Sequence, residues 1–205
     1  MYLSKIHIPW TQAENPYQLH KALWRLFPRL EDADREFLFR VEQLQKGIGA
    51  QVLMQSAIQP QSSEQSPALL ALREYSLNLQ NGQRFRFRLR ANPIKTIKDI
   101  NKGTVEKKGK TFTKTVRVPL WHEEQQQAWL ERKLENFAQL ETLMVQPEPV
   151  LYFRKVKEGR SGKIQTVMFD GILTVTDVEA FNHKITQGIG PAKAFGCGLL
   201  SVARI

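Results

Sequence analysis

Tyr17 and His20 stand three residues apart in the run Asn15-Pro16-Tyr17-Gln18-Leu19-His20-Lys21. That spacing puts both side chains on one face of a helix. An imidazole so placed exchanges protons with a hydroxyl near neutral pH, and a phenol one turn away can orient or assist it. A lone surface histidine is ordinary; Tyr17, Lys21 and Trp24 beside this one make it a candidate for acid–base chemistry.

The helix that positions the pair is legible from its start. Asn15 is a good N-cap and Pro16 fits the first helical position. At about 100° per residue, Leu19, Ala22, Leu23, Leu26 and Phe27 gather on one side, and Tyr17, His20, Lys21 and Trp24 on the other. A helix over Asn15 to Phe27 is expected, with His20 turned away from the core.

A second chemical candidate lies near the other end. Gly188, Gly190, Gly196 and Gly198 surround Pro191 and Lys193 in the run GIGPAKAFGCGLL. Glycine serves where φ is positive or where a backbone approaches a partner closely, and exposed N–H groups beside a lysine suit an anion. A glycine-rich turn before a final strand, Gly198 to Ala203, explains the residues equally well. Nucleotide loops do not fit. A Walker loop needs Gly-Lys-Ser/Thr where this chain has Ala192-Lys193-Ala194, and a dinucleotide fingerprint needs a third glycine in place of Lys193. No nucleotide cofactor is expected. Cys197 is alone, and His7, His20, His122 and His183 are scattered without ligand spacing, so no metal site is expected either.

The 205 residues, 41% hydrophobic, suffice for one large or two small domains and carry a formal charge of +10. From Arg84 to Arg117 the chain holds Arg84, Arg86, Arg88, Arg90, Lys95, Lys98, Lys102, Lys107, Lys108, Lys110, Lys114 and Arg117 against Asp99 and Glu106, so 12 − 2 = +10. The whole excess resides there, which points to a polyanionic partner. In Arg84 to Arg90 the arginines alternate with Phe85, Phe87 and Leu89, the pattern of a strand with an apolar face and a guanidinium face. Lys98 to Lys114, with Gly103 and Gly109, reads as a long basic hairpin or loop, suited to the deep major groove of A-form RNA. No apolar run approaches a membrane span and the N-terminus lacks a signal pattern, so a cytoplasmic protein is expected.

Two similar halves are expected from the remaining pattern. In the first, strands over Tyr2 to Ile8, Phe37 to Leu44, Gln51 to Ala57 and Tyr75 to Gln80 alternate with helices over Asn15 to Phe27 and Pro67 to Leu72. In the second, Arg117 to Leu120, a helix over Glu123 to Leu140, strands near Val150 to Lys157 and Lys163 to Val175, a helix over Asp177 to Gln187 and a final strand repeat the order. This β-α-β-β-α-β order is that of tandem ferredoxin-like, RRM-like domains, an α+β class with antiparallel sheets. With Asn92-Pro93 as linker, the domains are residues 1–92 and 93–205.

Tyr17 to His20, Leu26-Phe27-Pro28, the Arg-Leu-Arg-Ala-Asn-Pro-Ile-Lys core ending at Lys95, Ser161 to Val167 and Gly188 to Leu200 together resemble the CasE family of CRISPR repeat-processing endoribonucleases, subunits of type I-E Cascade. The resemblance runs from end to end. It implies two ferredoxin-like domains of the RAMP class, with the terminal glycines as class signature. It further implies metal-free cutting of repeat hairpins in a CRISPR transcript, leaving a 5′-hydroxyl and a 2′,3′-cyclic phosphate. Partners would be the repeat RNA, as precursor and as retained product, and other Cascade subunits.

On that resemblance the catalytic histidine is His20, as general base or acid, and its tyrosine is Tyr17. Lys21 or Arg25 are candidates, from helix position, to stabilise phosphorane charge, and Lys163 and Lys193 to contact phosphate near the cut. The four glycines would let the RNA backbone pass close to the second domain. A RAMP subunit that holds guide RNA without cutting it is the alternative, and the Tyr17/His20 pair weighs against it.

Overall fold

The structure is a computed structural model that describes residues 1–27, 36–64, 66–107, 109–155 and 159–205. The expected features at Pro28, Lys108 and Lys157 lie outside the described residues, as do the side chains of Lys107 and Lys110.

In chain order the regular elements of the first half are β1 (Tyr2–Pro9), α1 (Trp10–Ala13), α2 (Pro16–Trp24), β2 (Phe37–Gln45), β3 (Gly49–Ser56) and β4 (Ala68–Glu74). They form an antiparallel sheet in the order β2-β3-β1-β4. Leu19, Ala22 and Leu23 of α2 close one face of it, over Ile6, Ile8, Phe37, Phe39, Val52 and Met54. The helix expected over Pro67 to Leu72 is a strand instead. The run Ala68-Leu69-Leu70-Ala71-Leu72 has fair helix propensity, but pairing its backbone with β1 outweighs that weak local preference. No strand forms over residues 75–80.

The second half contains β5 (Arg84–Ala91), β6 (Ile94–Lys98), β7 (Thr104–Lys107), β8 (Lys110–Thr113), β9 (Thr115–Pro119), α3 (Glu123–Leu134), β10 (Ala138–Pro147), β11 (Leu151–Lys155), β12 (Arg160–Ile164), β13 (Val167–Val175), α4 (Val178–Gln187) and β14 (Leu200–Arg204). Its sheet runs β10-β13-β5-β14, the same spatial order as the first, so the molecule is two ferredoxin-like units in tandem. Two hairpins are inserted: β6–β9, prolonged by β7–β8, and β11–β12.

Three expectations shift here. Arg84 to Ala91 opens the second unit rather than closing the first, so the chain passes between the sheets over residues 75–83 and not at Asn92-Pro93. The helix from Glu123 stops at Leu134, because buried Phe137 turns the chain into β10; its carbonyl accepts from Thr176 N at 3.0 Å. The strand expected over Lys163 to Val175 divides into β12 and β13, which belong to different sheets.

Side chains lock the units together. Arg40, 3% exposed, donates from Nη1 to Arg88 O (3.1 Å) and Ser201 Oγ (2.8 Å) of the second sheet and from Nε to Glu42 Oε1 (2.8 Å) of its own. Burial lowers its guanidinium from the ordinary value, and Glu42 opposes that shift. Gln55 Nε2 donates across the same junction to Ile185 O at 2.9 Å.

Candidate active site

Asn15 caps α2 as expected, its Oδ1 accepting from Tyr17 N at 3.1 Å. Its amide also donates to Arg154 O at 2.7 Å, tying the helix start to β11. The β11–β12 hairpin and the 3-10 turn Lys193–Phe195 both pack on the helix, and they meet each other through Phe153 and Phe195 (centroids 4.5 Å). The glycine-rich segment and α2, far apart in sequence, are neighbours.

Tyr17 is half-buried, and two ammonium groups sit over its ring: Lys21 Nζ at 4.7 Å from the centroid and Lys155 Nζ at 5.2 Å. Cations on an aromatic face gain from the ring quadrupole, and here they concentrate positive charge beside the phenol. Lys155 was not among the residues expected from sequence. The signal was the alternation in Leu151-Tyr152-Phe153-Arg154-Lys155, which puts Phe153 and Lys155 on one face, but only the tertiary fold turns that face to α2.

His20 does not point away from the core. Its ring is half-buried, stacked on Phe39 (centroids 6.2 Å, interplanar angle 17°) and near Phe37 (5.8 Å). On the helical wheel His20 stands about 60° from Leu23, at the edge of the apolar face, and β2 offers Phe37 and Phe39 at that flank. An imidazole held between a helix and an aromatic wall is restrained in rotamer, which suits a group that must meet a proton at one place. Arg25, at the C-cap of the same helix, is exposed.

The guanidinium row divides. Arg84 binds both carboxylate oxygens of Glu141 from Nε (2.9 and 3.0 Å), and Arg88 Nε meets Asp170 Oδ1 at 2.7 Å. Arg90 pairs with Glu148 and is largely buried. Three of the four expected RNA-facing arginines thus neutralise acids on neighbouring strands and loops, and Arg86 alone of the row is exposed without an ion pair among the described residues. The sequence count missed this because Glu141, Glu148 and Asp170 lie at least fifty residues away.

The unpaired charge concentrates on the β6–β9 projection. Lys95, Lys98, Lys102, Lys114 and Arg117 are exposed along it, in register with Ile94 opposite Pro119 and Lys98 opposite Thr115. Lys163 lies on β12 in an open cleft of about 780 Å³ that also contains Asn15 and Tyr152, so it shares a space with the start of α2.

The glycines serve packing between the units. All four have positive φ, but Gly188, Gly196 and Gly198 are buried by protein. At Gly196, with φ 80°, a Cβ would stand 3.2 Å from the Phe39 ring that backs His20; at Gly188 it would meet Leu38 at 2.8 Å. Gly198 N donates to Arg90 O at 2.8 Å. The segment is a seam between the units. Lys193 Nζ donates to Gln187 O, capping the C-terminal end of α4, where a cation is favoured. Burial pushes the Cys197 thiol up to about 12, so it is no nucleophile at neutral pH. Among the described residues no three His, Cys, Asp or Glu stand together as metal ligands would, and no helix is long and apolar enough to cross a membrane.

A family model described as CRISPR associated protein matches residues 1–204. The Cascade subunit CasE of Escherichia coli K12 is 47% identical over 203 residues, covering 99% of each chain. The crystal structure of Cas6e from the same strain superposes with a TM-score of 0.83 at 46% identity, covering both chains fully. A structure of the CRISPR endoribonuclease Cse3 bound to a 19-nucleotide RNA superposes with a TM-score of 0.78 at 31% identity, covering 99% of this chain and 100% of that one.

Proposed function

The chain belongs to the CRISPR-associated protein family, and from that premise we propose that it is an endoribonuclease that cuts CRISPR repeat hairpins without a metal and keeps the product hairpin within Cascade. Relatives of 47% and 31% identity carry the names of a Cascade subunit and of an endoribonuclease bound to RNA, which supports the substrate and the partners. The observation that carries the chemistry is the arrangement on α2: a restrained imidazole, a phenol one turn before it, and two ammonium groups over the phenol ring.

In this reading the RNA supplies its own nucleophile. The 2′-oxygen forms a bond to the adjacent phosphorus, the bond from phosphorus to the 5′-oxygen breaks, and the products are a 2′,3′-cyclic phosphate and a 5′-hydroxyl. One proton leaves the 2′-hydroxyl and one reaches the 5′-oxygen; His20 moves one of them. Tyr17 orients the reacting group, and Lys21 and Lys155 stabilise the charge that grows on the phosphoryl oxygens. The basic projection β6–β9 enters the major groove of the stem and meets phosphates without reading bases.

Single-turnover cleavage of a repeat hairpin tests this. His20→Ala abolishes cutting and leaves hairpin binding within about threefold, since general acid–base catalysis is worth about 10²- to 10⁴-fold in rate and little in affinity. A 2′-deoxy substitution at the scissile nucleotide blocks cutting by wild type. Wild type keeps its rate in EDTA; loss of rate in chelator overturns the metal-free mechanism.

A further inference from the structure

A cleft of about 500 Å³ opens between the foot of the β6–β9 projection, the β11–β12 hairpin and the glycine-rich turn. Two large aromatic side chains line it almost unburied, Trp121 at 61% exposure and Tyr152 at 73%. Neither makes a ring contact among the described residues. Leaving two flat apolar surfaces in water forgoes a large burial gain, which a planar partner would recover. Arg117 and Lys163 stand on the same wall, exposed and outside any ion pair among the described residues.

Amide side chains are also among the lining residues. Gln165 Nε2 donates to Glu148 O at 2.8 Å and to Thr166 O at 3.2 Å, which fixes that amide beside the cleft. Asn92 adds a second amide. Aromatic faces for stacking, cations for phosphate and fixed amides for a base edge are together the chemistry that holds an unstacked nucleotide. Tyr152 and Lys163, opposite each other in the β11–β12 register, also line the cleft that holds Asn15, so the two spaces adjoin.

We propose that this cleft takes one unstacked nucleobase from the single-stranded RNA flanking the stem, stacked on Trp121 and Tyr152, with its phosphate on Arg117 and Lys163 and its edge toward the Asn92 amide. The inference rests on the endoribonuclease reading and adds to it a contact outside the stem.

The experiment measures equilibrium binding of uncleavable hairpin RNAs, 2′-deoxy at the scissile nucleotide, with single-stranded flanks on either side, on both sides or on neither. An abasic site is walked through each flank. Wild type loses about tenfold in affinity at one flank position, within the range that base–aromatic stacking spans. Trp121→Ala and Tyr152→Ala lose a similar factor on flanked RNA, become insensitive to the abasic site at that position, and bind the blunt hairpin as wild type does; Trp121→Phe retains most of the affinity. Equal losses on flanked and blunt hairpins, no loss at all, or full additivity with the abasic substitution overturns the base site. Failure of wild type to bind even the blunt hairpin defeats the endoribonuclease reading itself, so the two failures are distinct.

Discussion

Tyr17 and the two ammonium groups over it make a claim about single side chains that kinetics can test. Lys21 shares a helix with Tyr17, whereas Lys155 arrives on β11, so the two can be removed separately. Lys155→Ala is expected to slow single-turnover cleavage by about a hundredfold, the scale of losing one preorganised charge donor, while hairpin affinity changes by less than about fivefold. If affinity and rate fall together, Lys155 serves binding and the phosphoryl charge is met elsewhere. Lys193 is expected to behave differently, because its donation to Gln187 O makes it a helix cap in this structure.

At the scale of elements, the basic projection and the central strand β5 divide the charge that the sequence shows as one block. Subtracting the four arginines of β5 leaves Lys95, Lys98, Lys102, Lys107, Lys108, Lys110, Lys114 and Arg117 against Asp99 and Glu106, so 8 − 2 = +6 over the sequence from Lys95 to Arg117. Replacing Lys98, Lys102 and Lys114 together by Gln is expected to weaken hairpin binding and lower the slope of log affinity against log salt by up to about three, since each phosphate contact contributes roughly one. An unchanged slope places the stem elsewhere. On β5, bonds from Arg84 and then Thr174 hold the Glu141 carboxyl below the usual range. A depressed folded-state value gives stability that is present above the unfolded value, about pH 4.3, and is lost as pH falls through the folded one. Urea melts of wild type and Glu141→Gln should therefore differ at neutral pH and converge as pH drops below about 4.

For the molecule as a whole, the junction between the units decides whether a site exists. Arg40 reaches from β2 to Arg88 O and Ser201 Oγ, the seam of glycines fits against Leu38 and Phe39, and α2 contacts both β11 and the 3-10 turn of the second unit. Arg40→Ala removes the buried guanidinium that bridges Arg88 O and Ser201 Oγ, leaving the Ser201 hydroxyl as that carbonyl's side-chain donor, and is expected to cost about 1 to 2 kcal/mol in a urea melt. Because the same junction orients His20 and Tyr17, cleavage should fall well below what the folded fraction accounts for. Activity that tracks the folded fraction alone would separate the junction from the chemistry.

The sequence by itself determined whatever depends on near neighbours in the chain. The cap at Asn15, the pairing of Tyr17 with His20 on one helix, the alternation that buries Phe85, Phe87 and Leu89, and the basic hairpin all follow from spacing of a few residues. The tandem ferredoxin-like class followed too, although β4 escaped because its strand exists only through pairing with β1. Only the tertiary structure decided which charges remain for a ligand, where His20 faces and what the glycines fit. Those outcomes depend on Glu141, Asp170, Phe39 and Lys155 arriving from distant segments, and burial and Coulomb interactions act through space without regard to sequence separation.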